Sequence, residues 1–278
     1  MKTRKIDKKE LLRHARLFDD VFMSAVFDGN IEAAELVLKI ILDRPEIKVK
    51  SVKTQDTLNN LYGHWVRLDI HAIDEDGNEF DVEIQRSSDG ADAKRARYNS
   101  SMLDSHMLKR GQNYEKLRDS YVIFITEKDV IGRGLPVYYV NRRYDDNKAL
   151  FDDGESIIYV NGAVRGSDTE LGKLMQDFFN EDPEKMNYKE LAERAGYLKN
   201  TKKGVKKMES YYDRCMKDIY DEGMEQGMEQ GIEQGAEQNK IEVAMNLMAL
   251  GTVSIDDIAK ATGLSVEKIT ELAGPKAS

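Results

Sequence analysis

The chain contains a single cysteine, Cys215, among its 278 residues. That excludes an internal disulfide and any cysteine-based zinc cluster. Histidine is almost as scarce: His14, His64, His71 and His106 are scattered without metal-ligand spacing, so a metal held here is expected to be a hard ion bound through oxygen. Long apolar runs are missing too. The stretch Leu36 to Leu42 is interrupted by Lys39 and is far too short to cross a bilayer, and the N-terminus has no apolar signal core. A cytoplasmic protein with no membrane partner is the expectation. Positive charge is in deficit, with a formal net charge of −9, and this argues against a nucleic-acid partner because phosphate binding is dominated by Lys and Arg. The distribution weakens that objection. From Glu209 to Glu242 ten acids stand against three bases, a balance of −7, so the remainder is nearly neutral and carries two basic clusters. Lys2, Arg4, Lys5, Lys8, Lys9, Arg13 and Arg16 form an N-terminal one that reads as a solvated helix face. The other comprises Lys94, Arg95, Arg97, Lys109, Arg110, Lys116 and Arg118.

What is present centres on a hairpin that the second cluster follows in the chain. Val66, Leu68, Ile70 and Ala72 alternate with Arg67, Asp69 and His71, and the return segment Phe80 to Gln85 alternates in the same way. Asp76-Gly77 between them favours a tight turn, because Gly supplies positive φ without strain. Folding about that turn sets Asp69 beside Glu83 and Gln85 on the polar face. Two carboxylates opposed in this way repel, and no adjacent Lys on either strand neutralises them. Mg²⁺ would, since it takes one or two carboxylates, several waters and a phosphate. The spacing alone is equally compatible with a solvated hairpin face.

Around the hairpin, apolar periodicity predicts a helix over 19–43 ended near Pro45, a strand over 47–56, the two hairpin strands, a helix over 92–109 and a buried strand at Tyr121 to Thr126. Further strands are expected at 136–142 and 156–161, with helices near 167–180 and 187–199. The core order is αβββαβ.

That order and five short motifs resemble the PD-(D/E)XK nuclease superfamily, and within it the recombination-promoting nuclease/transposase (Rpn) family. The motifs are Phe18-Asp19-Asp20-Val21-Phe22-Met23, Arg67-Leu68-Asp69-Ile70, Val82-Glu83-Ile84-Gln85, Arg95-Ala96-Arg97-Tyr98 and Gly111-Gln112-Asn113-Tyr114. The resemblance covers roughly residues 17–200. It implies a restriction-endonuclease-like α/β core with a mixed central sheet and a phosphodiester hydrolase that uses Mg²⁺, with Mn²⁺ as a substitute. It also implies that Asp69 and Glu83 are metal ligands and that Gln85 stands where superfamily members carry Lys, a replacement the Rpn family shares. An amide at 85 cannot carry charge, but it can hydrogen-bond and orient an attacking water. Arg95 and Arg97 would either supply a cation for phosphate, their guanidinium forks matching its geometry, or pair with surface acids. Tyr98 would either bond a phosphate or cap the core. Asp19 reads as a helix N-terminal acid, and Asp20 either shares that role or adds a carboxylate behind the metal ligands.

Beyond about residue 205 the chain changes character. Gly223-Met224-Glu225-Gln226 recurs with variations through Gln238, a four-residue period whose Gly and Met lines drift round a helix by about 40° per step. Four interior glycines cost about 1 kcal/mol each relative to Ala, so packing against a partner helix is expected to support the segment. Ser254-Ile255-Asp256-Asp257 is a capping box, and Gly263-Leu264-Ser265 introduces a second short helix. Lys268 between Glu267 and Glu271 suits protein contact better than DNA reading. The expected organisation is a basic segment over 1–16, a nuclease-like domain over 17–200, a Gly-x-Glu-Gln linker over 201–240 and a helix-turn-helix-like tail over 241–278. The expected function is DNA endonuclease activity in recombination, mobile-element movement or defence against foreign DNA, with self-association through the C-terminal arm. The alternative is a catalytically weak or inactive nuclease fold that regulates by binding DNA or a partner.

Overall fold

The computed structural model describes residues 8–60, 65–86 and 90–273. Lys2, Arg4 and Lys5 of the N-terminal cluster, and His64, lie outside them. The chain divides into two units, residues 1–213 and 214–278.

In the first unit α1 (Lys8–Arg13) leads to α2 (Asp20–Phe27) and α3 (Ile31–Leu42). The periodicity predicts one helix over 19–43, but the chain breaks it at Asp28-Gly29-Asn30. Gly29 adopts φ +66°, a left-handed conformation that ends a helix cheaply. Asn30 then caps the next one by accepting the Ala33 N–H at 3.3 Å.

Six strands follow: β1 (Val49–Leu58), β2 (Val66–Asp74), β3 (Glu79–Gln85), β4 (Ser120–Thr126), β5 (Val137–Val140) and β6 (Glu155–Asn161). They form one mixed sheet in the order β1-β2-β3-β4-β6-β5. β1, β2 and β3 are antiparallel neighbours, β3, β4 and β6 run parallel, and β5 closes the edge antiparallel to β6. The crossover from β3 to β4 contains α4 (Ala93–Met107), as parallel pairing requires. The αβββαβ order is as the periodicity predicts, apart from the split first helix, and the mixed sheet is consistent with the restriction-endonuclease-like class that the resemblance implies.

Two apolar layers flank the sheet. Phe18, Phe22, Phe27 and Phe178 pack with Ile70, Ala72, Phe80, Val82 and Ile84 on one side, together with α5 (Glu170–Phe179) and α6 (Lys189–Asn200). On the other, Ala96, Met102 and Leu103 of α4 pack with Leu68, Val122, Phe124 and Tyr159. Strict alternation puts Leu68 with Ile70, yet the two residues serve different layers. The change falls where the β2–β3 ladder stops, at the pair Ile70–Val82.

Helix α7 (Lys202–Leu250) begins in this unit, with Met208 and Tyr211 buried in its core. In the second unit the end of α7, α8 (Ile255–Thr262) and α9 (Val266–Leu272) close over Ala244, Ile258, Leu264 and Ile269. The Ser254 hydroxyl accepts the Asp257 N–H at 3.2 Å, and Gly263 ends α8 at φ +72°, as the capping pattern predicts.

Candidate active site

The hairpin turn fixes the register. Asp74 accepts both the backbone and the side-chain N–H of Asn78 at 2.8 Å, and Gly77 sits at φ +86°. Ile70 then faces Val82, so the opposed residue numbers sum to 152, one short of the value of about 153 that an Asp-Gly turn suggests. Asp69 and Glu83 lie one step past this last pair. With the ladder ended, each carboxylate reaches a backbone N–H of the other strand: Asp69 Oδ2 accepts from Ile84 at 3.0 Å, and Glu83 Oε1 accepts a long bond from Asp69 at 3.4 Å. Acidic side chains replace ladder bonds here, so backbone donors that would be stranded stay satisfied.

Because Phe80, Val82 and Ile84 face the first apolar layer, Asp81, Glu83 and Gln85 point to the side covered by α4. The solvated-face reading therefore does not hold for Glu83, whose side chain is 0% exposed. Asp81 is equally buried and was not among the expected site residues. It is a third acid on the same strand face, two residues before Glu83, and the alternation that picks out Glu83 picks it out as well. Its Oδ2 accepts from Asn99 of α4 at 2.9 Å, while Oδ1 has no hydrogen-bond partner among the described residues.

Helix α4 brings the cations. Asp92 caps its first turn by accepting the N–H groups of Lys94 and Arg95 at 2.9 and 3.0 Å. Arg95 pairs its guanidinium with Glu83 Oε2, and Gln85 Nε2 donates to the same oxygen at 3.3 Å. A cleft of about 740 Å³ opens beside this group, lined by Asp20, Arg67, Asp69, Gln85, Arg95, Arg97 and Tyr98 among others. Asp20 stands at its rim, and Arg97 is exposed on its wall. The Tyr98 hydroxyl accepts from Asn60 at 2.7 Å while its ring packs against the α4 layer. Asp19 does not cap α2; it accepts the Arg16 N–H at 2.7 Å and pairs with Arg86.

Two buried carboxyls, Asp81 and Glu83, and the half-buried Asp69 share one paired Arg, and their affinities for protons record the imbalance. Burial first, and then the Glu83 charge, push Asp69 up to about 8. Burial followed by the Asp81 charge pushes Glu83 up to about 8 although Arg95 opposes the rise. Burial pushes Asp81 up to about 7, and it also raises Asp20 against the pull of Arg67. A divalent cation would relieve this repulsion, and the donor set is all oxygen, so the residues fit Mg²⁺ or Mn²⁺ through Asp69 and Glu83. Among the described residues no three His, Cys, Asp or Glu side chains already converge on one point as a metal cage, which agrees with Glu83 being turned to Arg95. Farther along the same face His71 bonds Asp56 at 2.8 Å and Glu79 at 3.1 Å. Burial lowers its proton affinity, but the two carboxylates outweigh that and the net change is upward. Held by both, His71 is a bridge between strands rather than a free base.

Compared with known proteins, residues 32–161 match a family model described as PD-(D/E)XK nuclease family transposase. No curated protein and no solved structure matches the chain. The matched residues run from α3 to the end of β6 and contain Asp69, Asp81, Glu83, Gln85, Arg95, Arg97 and Tyr98, whereas Asp20 lies outside them.

Proposed function

We propose that the protein is a metal-dependent DNA endonuclease serving recombination, mobile-element movement or defence against foreign DNA, a reading supported by the match of residues 32–161 to the PD-(D/E)XK nuclease family transposase model. The observation that carries this reading is the group of acids formed by the buried Asp81 and Glu83 with the half-buried Asp69, at a cleft whose wall holds Arg67, Lys94, Arg95 and Arg97. Acids alone would repel a phosphodiester. A bound Mg²⁺, with Mn²⁺ as substitute, would acidify its water and polarise the phosphate. Asp69 and Glu83 are the residues to hold it. The Gln85 amide, on the cleft surface, orients the attacking water, and the guanidinium groups of Arg95 and Arg97 bind the phosphate that flanks the cut. Tyr98 adds a hydroxyl on the same wall.

The test is incubation of the full-length protein with supercoiled plasmid in EDTA, Mg²⁺ or Mn²⁺, alongside RNA of similar length. Nicked or linear plasmid in the metal samples alone is expected. Binding without any product would favour the regulator reading instead, and product in EDTA would remove the metal from the mechanism.

Gln85 gives a sharper expectation. Gln85→Ala lowers the cleavage rate at saturating metal by on the order of 10²-fold, the low end of what a positioned proton-transfer group contributes, while Mn²⁺ affinity by calorimetry stays within about twofold. Gln85→Lys keeps or raises the rate. A large loss of metal affinity in Gln85→Ala would make the residue a ligand or a structural support.

The C-terminal unit is proposed as the assembly arm. Along α7, Met216, Tyr220, Met224, Met228 and Ile232 are exposed, and the acids around them would repel DNA. Because Met208 and Tyr211 belong to the core of the first unit, the informative truncation ends at Asp213. Light scattering should give a smaller particle, in subunits, for residues 1–213 than for the full chain. An unchanged subunit number would locate the contact elsewhere.

A further inference from the structure

Glu83 is the deepest of the metal-ligand candidates and does not reach the cleft surface. Its side chain is 0% exposed, whereas Arg95, paired with it, is 38% exposed. Both of its oxygens are already taken. Oε1 accepts from the Asp69 backbone, and Oε2 is shared by the Arg95 guanidinium and the Gln85 amide. Arg95 and Gln85 line the cleft, so Arg95 stands between Glu83 and anything that enters. The fit there is close. A Cβ at Gly90 would press on the Gln85 amide oxygen and lie 3.3 Å from Arg95 Nη1, so the Gly90 backbone packs closely against the pair. Meanwhile the Arg95 backbone is fixed in the first turn of α4 by the Asp92 cap, which confines any movement to the side chain.

A guanidinium and a divalent cation cannot both satisfy Glu83 Oε2. The guanidinium has an alternative partner of its own class, a phosphodiester in the cleft, which its planar fork binds with two parallel bonds. We propose that Arg95 is an exchangeable counter-ion: without nucleic acid it neutralises Glu83 and shuts it off from the cleft. A backbone phosphate draws the guanidinium away and frees Glu83 for the metal. The inference rests on the metal-dependent nuclease reading and adds a coupling to it. Nucleic acid and metal bind with positive cooperativity, and by linkage each strengthens the other to the same degree. Arg95 is then a positioning residue for the metal as well as a phosphate ligand, and the protein holds metal weakly until substrate arrives.

The sign of the test is unusual for an active-site cation. Calorimetric titration of the full-length protein with Mn²⁺, at a pH of about 8.5 so that protons compete less, should show Arg95→Ala binding Mn²⁺ about tenfold more tightly than the parent in the absence of DNA. Arg95→Met, which keeps the apolar stem, should do the same, and thermal melts establish that both variants fold. Adding a short DNA duplex should tighten Mn²⁺ binding by the parent about tenfold and leave the Arg95 variants unchanged. Equal or weaker metal binding by both Arg95 variants overturns the inference, as does an equal effect of DNA on parent and variants. Asp69→Ala distinguishes this from failure of the underlying reading. If Asp69→Ala abolishes Mn²⁺ binding the metal site stands whatever Arg95 does, and if no protein in the series binds Mn²⁺, with or without DNA, the metal-dependent reading itself fails.

Discussion

Asp69→Asn and Glu83→Gln each abolish detectable Mn²⁺ binding and reduce plasmid cleavage by on the order of 10³-fold or more, the loss expected when the group that holds the Lewis acid is removed. These amides are the informative substitutions because they remove charge and keep shape. An Asn carbonyl at 69 can still accept the Ile84 N–H that Asp69 accepts at 3.0 Å, and a Gln at 83 can keep its one carbonyl toward Arg95 and Gln85, giving up only the long 3.4 Å bond from the Asp69 N–H. Folding is therefore preserved, and stability without metal rises. Burial and mutual repulsion hold both carboxyls far above their ordinary proton affinity, so at neutral pH the native chain carries acids that resist ionisation, and neutral isosteres relieve that strain. Loss of function with a gain in melting temperature separates a site residue from a structural one. Unchanged metal affinity in both variants would sink the assignment.

The hairpin was legible because its signals are local. A period of two sets the faces and an Asp-Gly turn sets the register to within one residue, which suffices to place Asp69 beside Glu83. Burial was not legible there, since it depends on α4 crossing over that face. The same polar alternation occurs in a wet sheet and in one roofed by a helix, and only the roof makes Asp81 a buried acid bonded to Asn99. Asn99 itself could have been flagged, four residues after Arg95 on the helix and therefore on the same face. The direction of the Arg95 side chain toward Glu83, rather than outward to a phosphate, follows from packing that no spacing rule contains. Leu68 shows the converse limit. Its alternation with Ile70 is regular in sequence, yet the strand leaves its ladder between them, and they enter different layers. The split of the expected 19–43 helix was readable at Asp28-Gly29-Asn30, where apolar periodicity on both sides obscured a stop followed by a cap.

Metal-induced stabilisation should depend steeply on pH, and its direction follows from the same carboxyls. Asp69 rises from an ordinary 3.8 to about 8 and Glu83 from 4.5 to about 8. A group whose proton affinity is raised by folding favours the folded state fully below its unfolded value and loses that contribution as pH climbs through the folded one. Without metal, the contribution of these groups therefore declines between about pH 4 and pH 8 and is flat above that. His71 acts in the same direction, since folding raises its proton affinity too. In EDTA, the parent and Asp69→Asn should melt closest together below about pH 4, where the carboxyl is protonated in both the folded and the unfolded chain and resembles the amide. The gap should widen by several degrees at about pH 8.5, at the usual 2–4 °C per kcal/mol for a chain of this size. Mn²⁺ reverses the comparison for the parent alone. At a hundredfold excess over its dissociation constant a ligand contributes about 2.7 kcal/mol, so the parent should gain about 5–10 °C at pH 8.5. Near pH 5 the metal must displace protons from both ligands, and the gain should shrink to about a degree or less. Scanning fluorimetry across this range, with and without Mn²⁺, reads both effects. A parent stabilised equally by Mn²⁺ at pH 5 and pH 8.5 would mean that the metal binds away from Asp69 and Glu83, at acids that are already ionised.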